Sequence, residues 1–249
     1  MQNVGVRFGG IVALDDVSFD VPAGCILGLI GPNGAGKTTL FNCLSRLYEC
    51  GRGDIFFDGA SILSLPRHRM AGLGIGRTFQ NLALFRTMTV LENVMVGRHC
   101  RTGTGFFFNA LRLPAVSREE RDTLARARAL LGLLELEAVA DVRVADLPFG
   151  TQKRVELARA LASDPRLLLL DEPASGLNHE EVHALGELIR RIRERLALTV
   201  LLVEHHMGLV MGISDRVVAL NFGRKIAEGT PAEVRQHPDV IQAYLGGAA

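Results

Sequence analysis

The chain has 249 residues, 48% of them apolar, which is enough for one large domain or two lobes with a substantial core. Its 28 Lys and Arg stand against 27 Asp and Glu, and a formal net charge of +1 excludes a global pull toward nucleic acid or an anionic membrane. The absence of Trp and the presence of only two Tyr argue against base-stacking or carbohydrate platforms.

In chain order, residues 11–30 alternate in character and end in the apolar run CILGLI, a predicted strand. GPNGAGKTT follows at 31–39, and TTLFNCLSRL then predicts a helix, with Leu40, Phe41, Leu44 and Leu47 near helical spacing. GDIFFDGA reads as a hairpin-like strand and IGRTFQ as a short extended piece. Across 81–144 the texture changes. MTVLENVMVG and SREERDTLARARALLGLLELEAV predict helices, and RTGTGFFFNALRLPAV between them predicts a loop with a short helix. Phe106, Phe107 and Phe108 are expected to fill the core of this helical lobe. QKRVELARALAS is a helix, RLLLLDEP a buried strand, HEEVHALGELIRRIRERL an amphipathic helix and LTVLLVEHH another buried strand. DRVVALNFGRKIAEGT predicts a hairpin turning at 221–223, with two short helices after it. Alternating strands and helices in the carboxyl half imply a mainly parallel sheet.

Cys25, Cys43, Cys50 and Cys100 form no CxxC pair and no zinc spacing, so reduced thiols packed as small hydrophobes are expected, with a disulfide as the alternative. MQNVGVRFGG lacks the apolar core of a signal peptide. LLLL and TVLLV fall far below the roughly 18 apolar residues of a membrane span. A soluble chain is expected, although its positive mean hydropathy leaves room for a face buried against an apolar partner.

GPNGAGKT fits G-x-x-x-x-G-K-[ST], a phosphate-binding loop. Glycines let successive backbone amides turn inward into an anion nest, and the helix beginning near Lys37 aims its positive dipole end at the same point. Lys37 would place an ammonium on the β- and γ-phosphates, Thr38 a hydroxyl on Mg²⁺, and Thr39 a contact at the α-phosphate. A glycine-rich turn without ligand is the alternative, and the strand–loop–helix context argues against it. LLLLDE supplies the second acidic site. Asp171 would hold Mg²⁺ directly or through water, and Glu172 would polarise the attacking water as general base. Alone, this strand could equally end in surface acids.

With these motifs in order, the chain resembles the ATP-binding subunits of ABC transporters. Gln80 in RTFQN matches the Q-loop, which in that family reaches Mg²⁺ and the attacking water. LPFGTQKRVELARAL at 147–161 matches the signature and its helix, ASGLN at 174–178 the D-loop, and His205 the switch histidine. His206 lies beside it, but the position directly after Glu204 favours His205. Phe8 in RFGG matches the aromatic that stacks on adenine, with an ordinary core residue as the alternative. The resemblance thus implies nucleotide contacts from Phe8, Gly31, Pro32, Asn33, Gly34, Ala35, Gly36, Lys37, Thr38 and Thr39, and from Leu147, Phe149, Gly150, Thr151 and Asn178. It implies catalysis by Glu172, His205 and Gln80, and Mg²⁺ held by Thr38, Gln80 and Asp171. Two departures stand out. Pro148 replaces the usual signature Ser and offers neither hydroxyl nor amide, and Asn178 replaces the usual Asp.

The finer match is to the longer ATPase subunit of branched-chain (hydrophobic) amino acid uptake systems, through IGRTFQNLALFRTMTVLENVMVGRH, VEHHMGLVMGISDRVVALNFGRKIAEGTP and PDVIQAYLG. The resemblance implies an α/β P-loop NTPase fold with a mainly parallel core sheet, an antiparallel β subdomain and an inserted helical subdomain. One ABC ATPase domain would span 1–249, with 1–80 and 145–249 as the core lobe and 81–144 as the helical subdomain. It further implies ATP and Mg²⁺, a second ATPase subunit (paralogue or self), permease subunits docking near 82–96, a periplasmic or extracellular substrate-binding protein, no nucleic acid, and a peripheral place on the cytoplasmic face of the membrane. The same machine could serve urea, amides or another nutrient. A soluble ABC ATPase of DNA repair or translation would carry a long coiled coil or a second ATPase domain. A simple P-loop kinase would leave the signature helix and switch histidine without a role.

Overall fold

The computed structural model describes residues 1–78, 82–101 and 114–245. In order they form β1 (Gln2–Phe8), β2 (Ile11–Val17), β3 (Ile26–Ile30), α1 (Lys37–Leu44), β4 (Arg52–Asp54), β5 (Phe56–Phe57), β6 (Ala60–Ser61), α2 (Met70–Leu73), β7 (Ile75–Arg77), α3 (Val90–Gly97), α4 (Pro114–Leu133), α5 (Phe149–Leu161), β8 (Leu167–Asp171), α6 (His179–Leu196), β9 (Thr199–Val203), α7 (Met207–Ile213), β10 (Arg216–Asn221), β11 (Arg224–Gly229), α8 (Pro231–Gln236) and α9 (Pro238–Leu245). The chain divides into two compact units, Met1–Met70 with Leu169–Ala249, and Ala71–Leu168. Phe79, Phe106, Phe107 and Phe108 lie outside the described residues.

The core of the first unit is a sheet in which the strands run β11-β10-β3-β9-β8. Every residue of β3 is buried, and so are four of the five in β9. A continuous apolar run suits a parallel strand covered on both faces. β3 pairs in parallel with both neighbours, so Gly28 stands opposite Val217 and Leu202. A side chain at Gly28 would meet Val210 Cγ1 at 2.5 Å, which shows how closely α7 approaches this strand. β10 turns into antiparallel β11 through Phe222 and Gly223, both at positive φ, as a tight hairpin turn requires. A separate antiparallel sheet, β2-β1-β4, and the hairpin β5-β6 complete the expected mixture of parallel core and antiparallel subdomain. α6 buries Val182, Leu185, Ile189 and Ile192, one face at helical spacing. Each such side chain contributes about 1.5–3 kcal/mol at most when removed from water.

The second unit is mainly helical. α3 starts in a capping box, where the Thr89 hydroxyl accepts from the Glu92 amide and the Glu92 carboxylate accepts from the Thr89 amide. Asn93 is fully buried and satisfied: its amide donates to the Phe85 and Thr89 carbonyls, and its oxygen accepts from Phe85 N. A Cβ on Gly97 would stand 2.1 Å from the Arg159 carbonyl, so α3 and α5 pass in backbone contact. That packing groups the signature helix α5 with α3. The unit therefore reaches Leu168, beyond the 81–144 span expected of the helical lobe. At its other end, Leu167 N donates to the Gly74 carbonyl and sets the start of β8 beside β7.

Candidate nucleotide site

The loop at 31–39 leaves the carboxyl end of β3, and two glycines decide its path. Gly31 has φ 151°, and a Cβ there would lie 2.3 Å from the Leu220 carbonyl oxygen. Gly36, at φ 99°, would meet the Ala13 carbonyl oxygen at 2.7 Å. Only glycine combines those dihedrals with that closeness. Gly36 also begins α1 without any side-chain cap, as suits a helix end that receives an anion. Lys37 is buried, and its Nζ donates to the carbonyls of Gly31 (2.6 Å) and Pro32 (3.0 Å). Burial lowers its pKa below the ordinary ammonium value, partly opposed by the charge of Glu172. An ammonium held in a desolvated pocket gains strongly when phosphate oxygens arrive. Thr38 is exposed, and Thr39 half-buried.

β8 delivers the acids. Asp171 is only 4% exposed and ends the strand. Glu172 follows with φ 47°, a left-handed backbone costing on the order of 1–3 kcal/mol for a side-chain-bearing residue. Its amide donates to the Val203 carbonyl at 2.9 Å, which pins that conformation beside β9. Glu172 Oε1 lies 2.8 Å from His205 Nε2. His205 alone of the histidine pair meets this acid. His206 Nδ1 instead accepts from Leu209 N at 3.2 Å and caps α7, so the neutral ring carries its proton on Nε2.

Between them lies Glu204, 3% exposed. Its carboxylate accepts from the amides of Ala174 (2.6 Å), His205 (3.0 Å) and His206 (3.2 Å). One buried anion thus fixes the segment after Glu172 and the segment carrying His205. In the sequence alone Glu204 serves only to place His205. An acid closing an apolar strand was the signal that could have found it.

The remaining expected residues are dispersed. Phe8 is 45% exposed and sits edge-on to Tyr48, ring centroids 5.1 Å apart. Leu147, Phe149, Gly150 and Thr151 belong to the second unit. There Pro148 occupies the N-cap of α5 without a side-chain cap, Gln152 Nε2 donates to the Leu147 carbonyl at 2.8 Å, and Lys153 lies 5.6 Å over the exposed Phe149 ring. The side chain of Asn178 accepts from Glu181 N at 3.0 Å and caps α6, a role readable in advance from Asn-His-Glu-Glu. Gln80 lies outside the described residues.

The first unit therefore contains a glycine-rich loop with a buried ammonium, two acids and a histidine. Among the described residues no group of three His, Cys, Asp or Glu could hold a metal alone. A hydroxyl and a carboxylate suit Mg²⁺, which takes few protein oxygens and completes its shell with phosphate and water. No helix among the described residues is long and apolar enough to cross a membrane.

The family described as ABC transporter matches residues 14–175, and that described as Branched-chain amino acid ATP-binding cassette transporter matches 224–249. The high-affinity branched-chain amino acid transport ATP-binding protein LivG of Salmonella typhimurium is 46% identical over 243 residues, covering 98% of this chain and 95% of the relative. Its counterpart BraF of Pseudomonas aeruginosa is 45% identical, covering 100% and 97%. Among solved structures, the ADP conformation of the ATP-binding cassette MJ1267 superposes with a TM-score of 0.86 at 30% identity, covering 98% of this chain and 97% of that one. The dimeric cassette MJ0796 follows at 0.76 and 26%, covering 92% and 97%.

Proposed function

The chain belongs to the ABC transporter ATP-binding family and is an ABC ATPase, and from that premise we propose that it powers uptake of branched-chain or other hydrophobic amino acids. One observation carries the site assignment. The Glu172–His205 pair, at 2.8 Å, and the loop holding buried Lys37 are built by the same unit, within electrostatic reach of each other.

In this reading the amides that follow Pro32 cradle the phosphates, and Lys37, positioned by the Gly31 and Pro32 carbonyls, meets them. Thr38, Asp171 and Gln80 would hold magnesium, which would supply positive charge against the phosphates. Glu172 orients the attacking water and takes its proton, while His205 holds the carboxylate in place and stands next to the γ-phosphate. Phe8 packs on adenine. A second ATPase subunit, a paralogue or a second copy, would lay its own signature over the phosphate, and Leu147, Phe149, Gly150 and Thr151 of this chain would do the same for the partner's nucleotide. Closure would exclude water and strengthen each of these interactions. The helical lobe around 81–144 would carry the motion to permease subunits through residues near 82–96, on the cytoplasmic face of the membrane, with a binding protein delivering solute. The identities of 45–46% to LivG and BraF over nearly the whole chain support the amino-acid assignment over urea or amides.

The test is magnesium-dependent ATP hydrolysis by the chain reconstituted with its permease, stimulated by binding protein loaded with leucine. Hydrolysis stimulated by a urea- or amide-loaded binding protein instead would keep the ATPase and replace the solute.

A further inference from the structure

α9 reaches back to the phosphate loop. The Gly31 amide donates to the hydroxyl oxygen of Tyr244 at 2.9 Å, across 213 positions of sequence. Gly31 is therefore gripped on both sides. Its amide is held by Tyr244, its carbonyl by Lys37 Nζ at 2.6 Å, and a Cβ on it would lie 2.3 Å from the Leu220 carbonyl oxygen. Tyr244 also lines two cavities. One, of about 520 Å³, is walled by Ile30, Met207, Met211 and Ile241; the other, of about 770 Å³, by Pro32, Asn33, Phe222 and Asp239. The hydrogen bond is thus a direct tie between α9 and the start of the loop.

We propose that Tyr244 is a positioning residue of the nucleotide site: its phenolic oxygen fixes the Gly31 peptide in the phosphate-receiving geometry and couples the carboxyl-terminal helix to nucleotide affinity. The inference rests on the nucleotide site proposed above. The physical chain is short. Without the acceptor, the Gly31 amide is partly buried and unsatisfied, and it rotates to find water. Gly31 can rotate because glycine meets little torsional resistance. Rotation moves the carbonyl that anchors Lys37 and the amides that follow it. A cradle that must first be re-ordered binds more weakly. Burial holds the phenol above its ordinary pKa, so the neutral hydroxyl persists at physiological pH. Tyr244 lies in the 224–249 stretch, outside the 14–175 span of the general ABC transporter match. The coupling therefore runs through a segment that marks this branch.

Tyr244→Phe keeps the ring and removes the acceptor. The expected result is about tenfold weaker ATP binding by the isolated full chain, ~1.4 kcal/mol. In the reconstituted transporter the KM for ATP rises by the same factor, with kcat at saturating ATP within about twofold of wild type. Tyr244→Ala raises KM at least as far and lowers the melting temperature further. A melting temperature that falls in both variants while KM stays at the wild-type value means a structural role only, and overturns the proposal. Failure of the wild-type chain to bind ATP would instead overturn the site assignment itself.

Discussion

Replacing Glu204 with Gln tests how the two catalytic segments are held. Oε1 accepts from Ala174 N, and Oε2 accepts from both His205 N and His206 N. A glutamine has one acceptor oxygen. Its better orientation keeps the two histidine amides and turns an NH₂ toward the Ala174 amide, donor against donor. The loss is one charge-assisted bond, about 1.5–3 kcal/mol, with part of the 1–3 kcal/mol cost of an orphaned buried amide, or roughly 2–4 kcal/mol together. For a chain of this size each kcal/mol moves the melting temperature by roughly 2–4 °C, so a fall of about 5–15 °C is expected in calorimetry. Loosening Ala174 and His205 also misplaces the partner of Glu172. ATP turnover should therefore drop about tenfold or more, since ~1.4 kcal/mol of lost transition-state positioning is a factor of ten. The variant's far-UV dichroism at 20 °C shows whether the folded state survives for that assay. A melting temperature within about 1 °C of wild type would refute the reasoning, because the burial cost of the carboxylate would then cancel its three bonds.

Three further outcomes are expected. Glu172→Gln keeps nucleotide binding and lowers the hydrolysis rate by about 10²–10⁴-fold, measured as phosphate release at saturating ATP. Lys37 titrates below its ordinary value of 10.5 because it is buried, so between the two values the unfolded chain binds more protons and unfolding free energy rises with pH. Nucleotide affinity runs the other way. It falls as pH rises through the lowered pKa, since only the ammonium attracts phosphate, and calorimetric affinity that stays flat up to about pH 10 would contradict this. Pro148→Ser places a hydroxyl at the uncapped start of α5 and should stabilise that helix by ~0.5–2 kcal/mol in denaturant melts. The same hydroxyl should tighten ATP affinity in the assembled transporter, and unchanged affinity would mean that the missing signature serine has no consequence.

Much of this fold is legible residue by residue. CILGLI, RLLLLDEP and LTVLLVEHH become β3, β8 and β9 because an apolar run this short, bounded by turn or charged residues, suits a strand covered on both sides. The 3.6-residue spacing in HEEVHALGELIRRIRERL becomes α6, and Asn221–Gly223 becomes the turn between β10 and β11. The phosphate loop announces itself in the same way, since its glycines answer to local dihedral demands. What escaped sequence reading depends on contacts between distant segments. The grouping of α5 with α3 follows from the close pass at Gly97. The separation of His205 and His206 follows from the turn into α7, and the left-handed backbone of Glu172 from its bond to Val203.

The sequence by itself determined which elements form and which chemical groups are present at the phosphate loop and the acidic strand end, because both are written in local periodicity and backbone preference. Only the tertiary structure decided that Glu204 clamps two loops and that Tyr244 holds Gly31. A hydrogen bond between residues 213 positions apart leaves no trace in either one's neighbours.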